Sequence, residues 1–199
     1  MVVFLLFGIT SHALEIRLEK RNLSKLGLHK ELSTTFIVQL DHSLDGPINM
    51  TYIEELSECF YIDIYEMKNL APDVHLHPNQ GYINVETPSY SSRPVNVSLS
   101  KFITNPSTNL EITFTLPIHL RYQRSESGHT HAQAELANPS TFFINGQVHS
   151  IHIPSNASIS TQAQVPIGNL DDFKTVQMVT LSVTVAVCVL FVALSFFKV

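Results

Sequence analysis

Histidines are the residues of this sequence whose spacing most invites a chemical role. Residues i and i+2 of a β-strand point to the same side, so closely spaced histidines could share a metal ion. A catalytic zinc site needs three protein ligands and a structural site needs four, yet no HExxH motif and no cysteine ligand lies nearby. We therefore expect no metal and no cofactor. The closely spaced pairs are His75 and His77, His129 and His131, and His149 and His152.

Other catalytic arrangements are equally incomplete. The sequence contains no GxSxG motif, and Cys59 has no neighbouring histidine to activate it. Asp171-Asp172 could be compared with the paired acidic residues of many sugar transferases, but it adjoins a long apolar segment, where we expect it to be solvated. The sequence therefore predicts no catalytic residue and a protein that is not an enzyme.

The stretch LPIHLRYQR, residues 116–124, alternates apolar and polar residues as a half-buried strand does. Proline cannot donate a ladder hydrogen bond, so Pro117 predicts an edge strand or a bulge. His119 and Arg121 fall on the polar face, which we expect to be exposed. They could form a recognition patch for a protein partner, because arginine suits carboxylates and planar surfaces. The alternative is an ordinary solvated arginine.

A period of two residues dominates the chain between positions 14 and 174. It predicts several short strands separated by turns, and the Asn145-Gly146 dipeptide predicts a hairpin turn. Residues 66–70 are expected to form a single helical turn. The fold class that accommodates this pattern is all-β, an antiparallel β-sandwich, followed by one C-terminal transmembrane helix. The strand predictions cover residues 34–41, 59–65, 95–102, 110–123 and 141–153.

The two ends of the chain are apolar. Residues 1–13 carry an apolar run followed by Ser11-His12-Ala13, which is typical of a signal peptide, although a buried strand is the alternative. Residues 175–197 contain no charge, and a helix of that length spans roughly 35 Å, enough to cross a bilayer. A GPI-attachment signal is the alternative for this tail, but the required small residues are not at the right distance. We expect residues 14–174 in the lumen, 198–199 in the cytosol, and type I topology.

Four sequons lie between the predicted signal peptide and the predicted anchor, and they favour glycosylation in the endoplasmic reticulum (ER) or beyond. Cys59 and Cys188 fall in different compartments of this topology, so no internal disulfide is expected. The formal net charge of −5 gives no reason to expect a nucleic-acid partner. The sequon asparagines are Asn22, Asn49, Asn96 and Asn156.

Polar residues of the apolar C-terminal segment recur on one side of the predicted helix. At 100° per residue they fall within an arc of about 80°. Such stripes can pack against and hydrogen-bond to a neighbouring membrane helix. Alternatively, their hydroxyl groups bond to carbonyls of their own helix. The candidates for partner binding are Gln177, Thr180, Thr184 and Cys188, with Ser195 on the same side.

Several motifs together resemble those of the PIG-X family, the class X component of GPI-anchor biosynthesis. The most specific is Pro117-x-His119-x-Arg121-Tyr122. Four weaker blocks occur in the family's order along the chain. In chain order they are Tyr61-x-Asp63-x-Tyr65-Glu66, Glu86-x-Pro88-x-Tyr90, Asn138-Pro139 and Val165-Pro166-Ile167-Gly168.

The resemblance implies a non-catalytic ER subunit. Family members bind and stabilise PIG-M, the multi-spanning mannosyltransferase that adds the first mannose to the GPI lipid. Animal members carry luminal cysteines, one of them where this chain has Asn145, so their disulfides are not expected here. Two other classes of function remain open from the residues alone: a cell-surface adhesion or receptor-like sandwich, and a luminal metal-dependent hydrolase.

Overall fold

The computed structural model describes residues 15–40, 46–70, 74–76 and 83–197. The predicted signal peptide, residues 1–13, lies outside the described residues. So do His77 and the predicted cytosolic tail, residues 198–199.

The described part of the chain contains twelve strands, two α-helices and two short 3-10 helices, Ser89–Ser91 and Leu170–Asp172. Strands β1 to β4 are Glu15–Ser24, His29–Gln39, Ile48–Leu56 and Phe60–Tyr61, and helix α1 is Ile64–Leu70. Strands β5 to β8 are Val74–Leu76, Val95–Ile103, Asn109–Leu120 and His131–Glu135. Strands β9 to β12 are Thr141–Ile144, Gln147–Ser150, Ser158–Ser160 and Gln162–Pro166, and helix α2 is Phe173–Phe197.

The strands form two five-stranded sheets and a separate β12–β8 pair. The first sheet has the order β11-β1-β2-β7-β4 and the second has the order β10-β9-β3-β6-β5. Buried rings join their inner faces: Phe36 of the first sheet lies 5.1 Å from Tyr52 and 5.1 Å from Phe142 of the second, between ring centroids. The predicted antiparallel sandwich is therefore confirmed, with one parallel pair, β1–β11, at an edge.

Over most of the sandwich, the residues that the alternating pattern predicts to be buried are buried. In β6, Val95, Val97 and Leu99 are buried and the residues between them are half-buried. The predicted hairpin joins β9 to β10, and Asn145 and Gly146 have φ values of 49° and 82°. Positive φ at both turn positions fits a type I′ turn, which explains the asparagine–glycine pair.

The predicted strand at 59–65 is wrong beyond Tyr61. The chain turns after β4, and the carboxylate of Asp63 accepts a hydrogen bond from the backbone N–H of Tyr65 at 2.8 Å. That bond satisfies a donor in the first turn of α1, as a helix cap does. Helix α1 is consequently longer than the single turn expected at 66–70 and begins at Ile64.

A bulge in β1 places an arginine in the core. The β1–β2 register shifts between Leu18 and Lys20, so Lys20 points outward and Arg21 points inward. Arg21 donates from Nη1 to Glu54 Oε2 at 2.8 Å and from Nη2 to Glu54 Oε1 at 2.6 Å. Thr34 accepts a further bond from Nη1 at 2.9 Å. This fully buried ion pair joins the first sheet to the second.

Pro117 lies where β7 has a neighbour on one side only. Strand β2 pairs with β7 from Asn109 to His119, whereas β4 pairs only with His119 and Leu120. Leu120 N–H donates to the Leu28 carbonyl, so the alternation turns the Pro117 nitrogen away from β2. The predicted edge position is confirmed for this part of the strand.

Helix α2 follows β12 after a short connection. A span from Leu170 to Phe196 is long and apolar enough to cross a membrane, with a mean hydropathy of 2.5. The connection is tied to the loop after β7: Gly128 N–H donates to Asn169 Oδ1 at 3.1 Å and to Asp171 Oδ2 at 3.0 Å. The base of α2 is therefore attached to the sandwich by more than the chain itself.

Candidate functional site

Three aromatic rings lie side by side on the outer face of the first sheet, near the end of β7. His119 is the direct neighbour of His29 on β2 and of Tyr61 on β4. Its ring stacks on Tyr61 with 5.0 Å between centroids and meets His29 edge-on at 4.7 Å. Cross-strand register thus assembles the row from three separate parts of the sequence.

Helix α1 brings a carboxylate to this row. Glu66 Oε2 lies 2.8 Å from His119 Nε2, within hydrogen-bonding distance, and its other oxygen lies 3.7 Å from His29 Nε2. All three side chains remain partly accessible, at 37%, 22% and 21% for His29, Glu66 and His119. The group can therefore hold charge or a ligand without being sealed from solvent.

The expectation that Arg121 is exposed is wrong. Arg121 does lie on the same face as His119, but the segment before β6 covers that face and leaves Arg121 only 4% exposed. Its Nη1 donates to the backbone carbonyls of Asn84 and Thr87, both at 2.7 Å. Its guanidinium lies 4.8 Å from the centre of the Tyr61 ring. The arginine binds a connecting segment to the sheet.

Continued alternation of residues 116–124 would place Tyr122 on the buried face with Leu116, Ile118 and Leu120. It is instead 70% exposed, because β7 ends at Leu120 and the alternation stops there. Its backbone carbonyl accepts a hydrogen bond from Ser89 N–H at 3.0 Å. Arg124 lies 4.7 Å from the centre of the Tyr90 ring, which is 57% exposed. Two accessible tyrosines and an arginine therefore flank the covered arginine.

Gln123 and Cys59 complete the inner part of this region. The Ser89 hydroxyl donates to Gln123 Oε1 at 2.6 Å, and the Cys59 Sγ lies 3.8 Å from the same oxygen. Burial raises the pKa of the Cys59 thiol. The thiol is therefore held in its protonated, less reactive form.

Three of the sequence motifs meet here, and we call Tyr61, Glu66, Thr87, His119 and Arg121 the motif cluster. Burial raises the pKa of Tyr61 and lowers that of Arg121, although the ring and the guanidinium face each other. The main polar groups of the cluster are engaged with one another or with backbone carbonyls. This arrangement holds elements together.

The Asn138-Pro139 motif lies apart from the cluster, beside the buried ion pair. Arg21 Nη2 donates to the carbonyl of Ala137 at 3.0 Å, and Pro139 is buried. Arg21 and Glu54 are not among the residues predicted from the sequence. Glu54 interrupts an otherwise apolar alternation in β3, which is a visible signal. Arg21 gives no such signal, because the bulge in β1 changes which residues point inward.

The polar stripe predicted for the membrane segment lies on the continuous helix α2. Thr184 donates its hydroxyl hydrogen to the Thr180 carbonyl at 2.8 Å, and Ser195 donates to Phe191 in the same way. Hydroxyl bonds to carbonyls of the same helix are what the alternative to partner binding predicts. The hydroxyl oxygens can still accept hydrogen bonds from a neighbouring helix. Gln177, Thr180 and Cys188 lie on the exposed surface of the isolated helix. Partner binding by the stripe stays a prediction.

The four sequon asparagines lie on different parts of the sandwich. Asn49 and Asn156 are exposed, while Asn22 and Asn96 are half-buried. Glycosylation at these positions also stays a prediction.

Two of the histidine pairs noted in the sequence, His129 with His131 and His149 with His152, do not belong to the group that resembles a metal site. Among the described residues, the group whose ligand atoms come close enough is His29, Glu66 and His119. His129 and His131 are exposed on the loop that leads into β8 and on its first residue. Sequence spacing could not reveal the actual group, because its members come from β2, α1 and β7.

A family model described as PIG-X / PBN1 matches residues 25–156, well over half of the chain. The match spans the four motifs from Tyr61 to Pro139 and stops before the fifth motif and α2. No curated protein matches the chain significantly.

Proposed function

Because the chain belongs to the PIG-X/PBN1 family, which acts in GPI-anchor biosynthesis at the ER membrane, we propose that it is a stabilising, non-catalytic subunit of the first GPI mannosyltransferase. Its partner would be a PIG-M-like, multi-spanning catalytic chain. The subunit would bind the folded partner and so raise its stability by mass action.

The observation that carries this proposal, beside family membership, is the state of the motif cluster. The Arg121 guanidinium donates to two backbone carbonyls and lies against a tyrosine ring, and His119 is paired with Glu66. A site that binds a phosphate or sugar substrate needs donors that are accessible to that substrate. Here the same donors fix the shape of a surface, as an interaction protein requires.

We place the partner contact beside the cluster, on Tyr122, Tyr90 and Arg124. Tyrosine and arginine are the residue types that most often dominate binding energy at interfaces. His119 and Arg121, first considered as contact residues, would hold this surface in position. Gln177, Thr180, Thr184 and Cys188 would contact a helix of the same partner within the membrane.

In this proposal the protein is a single-pass type I glycoprotein. The sandwich lies in the ER lumen and α2 crosses the membrane. The four sequons support a luminal position for the sandwich, and the length of α2 supports a membrane span.

Affinity purification of the full-length chain in mild detergent tests the partner. We expect a multi-spanning mannosyltransferase to co-purify. Tyr122→Ala should reduce its recovery several-fold, since truncation of an aromatic hot-spot residue costs about 2 kcal/mol, or about thirtyfold in affinity. The matched control is Phe102→Ala, which removes an aromatic ring that is 67% exposed on β6. Equal loss of partner with both variants, or with neither, would rule out the proposed surface.

Glycan processing separates the proposal from a cell-surface adhesion or receptor-like protein. A subunit retained in the ER keeps high-mannose glycans that endoglycosidase H removes. Resistant glycans on most of the protein at steady state would favour the surface function instead. The measurement is a mobility shift of the full-length protein after enzyme treatment.

A further inference from the structure

We propose that His29, Glu66 and His119 form a zinc-binding site on the outer face of the first sheet. One ligand atom from each residue lies within 4.8 Å of the other two. The site would hold a single Zn²⁺ through two imidazole nitrogens and one carboxylate oxygen. It is independent of the proposed mannosyltransferase partner.

The fold brings the two histidines together in a favourable register. Leu120 N–H donates to the Leu28 carbonyl, so the neighbouring His29–His119 pair is not hydrogen-bonded between backbones. Side chains of such pairs lie closer than those of hydrogen-bonded pairs. Both residues also approach Glu66 through the same atom, Nε2. The two nitrogens therefore converge on one carboxylate.

The distances fit a tetrahedral ion after a small adjustment. Zinc–nitrogen and zinc–oxygen bonds of about 2.0–2.2 Å place neighbouring ligand atoms about 3.4 Å apart. His29 Nε2 lies 3.7 Å from Glu66 Oε1, and His119 Nε2 lies 2.8 Å from Glu66 Oε2. A small shift of the Glu66 side chain would place one of its oxygens at a comparable distance from both nitrogens. Glu66 is partly exposed on a short helix, where such a shift meets little resistance.

The donor set favours zinc over the hard divalent ions. Magnesium and calcium prefer ligand sets made only of oxygen, whereas two histidines and a glutamate are a known zinc combination. Stacking on Tyr61 fixes the plane of the His119 ring, as outer partners of metal ligands do. Water would occupy the fourth position, on the accessible side. The bound ion would join α1 and the start of β2 to β7, beside the motif cluster.

The test is zinc titration of the full-length chain in detergent, purified with a tag that contains no histidine and first stripped with a chelator. Competition with a chromophoric chelator should give one zinc per chain. Glu66→Gln and His29→Ala should each weaken binding by roughly tenfold or more. The control is His129→Ala/His131→Ala, which removes two exposed histidines and should leave the affinity unchanged.

Thermal unfolding provides a second measurement that does not depend on the competing dye. Zinc should raise the unfolding midpoint of the unaltered chain, and chelator should reverse the rise, because a ligand that binds the folded state stabilises it. In Glu66→Gln the midpoint should not respond to zinc, while its value in chelator should match the unaltered chain and so show intact folding. Absence of zinc binding by the unaltered chain would overturn the site. So would undiminished binding by both Glu66→Gln and His29→Ala.

Discussion

Replacing Arg121 by alanine would remove two hydrogen bonds and a buried cation from beneath the segment before β6. The carbonyls of Asn84 and Thr87 would lose their donor, and the Tyr61 ring would lose the guanidinium that covers it. Both bonds are part-buried, and a hydrogen bond from a charged donor contributes about 1.5–3 kcal/mol. We expect Arg121→Ala to lower the free energy of unfolding of the full-length protein in detergent by about that amount, measured by chemical unfolding.

Arg124→Ala is the matched control for this prediction. Arg124 is exposed beside Tyr90, and exposed substitutions change stability by about 0.5 kcal/mol or less. If Arg121→Ala were as mild as Arg124→Ala, the two carbonyl bonds would contribute little and the arginine would not be a structural residue.

The Arg21–Glu54 pair permits a double-mutant cycle inside the core. Removing one partner leaves a buried, uncompensated charge and should cost about 3–5 kcal/mol, as in Arg21→Met. Arg21→Met combined with Glu54→Leu should cost clearly less than the sum of the two single changes. Chemical unfolding of the four proteins measures the coupling. Additive losses would mean that the two side chains act independently.

Arg121 and Arg21 also show which properties of individual residues the sequence could not predict. The alternation correctly placed Arg121 on the face of His119, but exposure depended on a distant segment that folds over that face. For Arg21 the bulge at Glu19 reversed the alternation within one strand. Both outcomes depend on contacts between segments far apart in the chain, which local patterns do not contain.

At the level of elements, the membrane helix offers a test of its polar stripe. Replacing Thr180, Thr184 and Cys188 together by leucine should weaken recovery of the partner more than leucine at Val183, Val185 and Val189. The two triple variants keep an apolar helix but alter different faces. Interhelical hydrogen bonds in membranes contribute about 1–2 kcal/mol at most, so we expect partial loss.

The measurement is quantitative co-purification at equal expression of the two triple variants. Since the Thr184 hydroxyl already bonds within its own helix, close packing of small side chains should carry most of the effect. Equal recovery of the partner would assign recognition to the sandwich.

Element predictions succeeded where a strand has one buried face and failed where the chain changes direction. Val95, Val97 and Leu99 alternate cleanly, and the Asn145-Gly146 turn has a local cause. Residues 59–65 also alternate, yet the Asp63 side chain begins a helix within them. The hydrogen bond from Tyr65 N–H to the Asp63 side chain favours a helix start, although the seven residues 59–65 alternate as a strand would.

For the whole molecule, the expected consequence concerns cells that lack the protein. If it stabilises the first GPI mannosyltransferase, its removal should lower the amount of the catalytic chain and deplete GPI-anchored proteins from the cell surface. Flow cytometry of a GPI-anchored marker and immunoblotting of the catalytic chain measure both effects. A normal marker level in cells that have no second family member would contradict the proposed function.

The sandwich class and the apolar C-terminal helix were predictable because each follows from a repeated pattern over many residues. The motif cluster was only partly predictable. Its members could be named from family motifs, but Glu66 and His29 join His119 through tertiary contacts alone. Likewise, the local sequence of residues 84–87 does not predict that they cover Arg121.

The tie between the loop after β7 and the start of α2 limits the distance between the motif cluster and the apolar span. Glu126 forms a bridge with Asn169, one residue before that span begins. Five residue steps separate Arg121 from Glu126, and an extended chain covers at most about 18 Å in that distance. With the width of the bridge and one further residue included, Arg121 lies within roughly 27 Å of Leu170. If α2 crosses the membrane, a loop of a multi-spanning partner that extends about that far from the bilayer can contact the cluster.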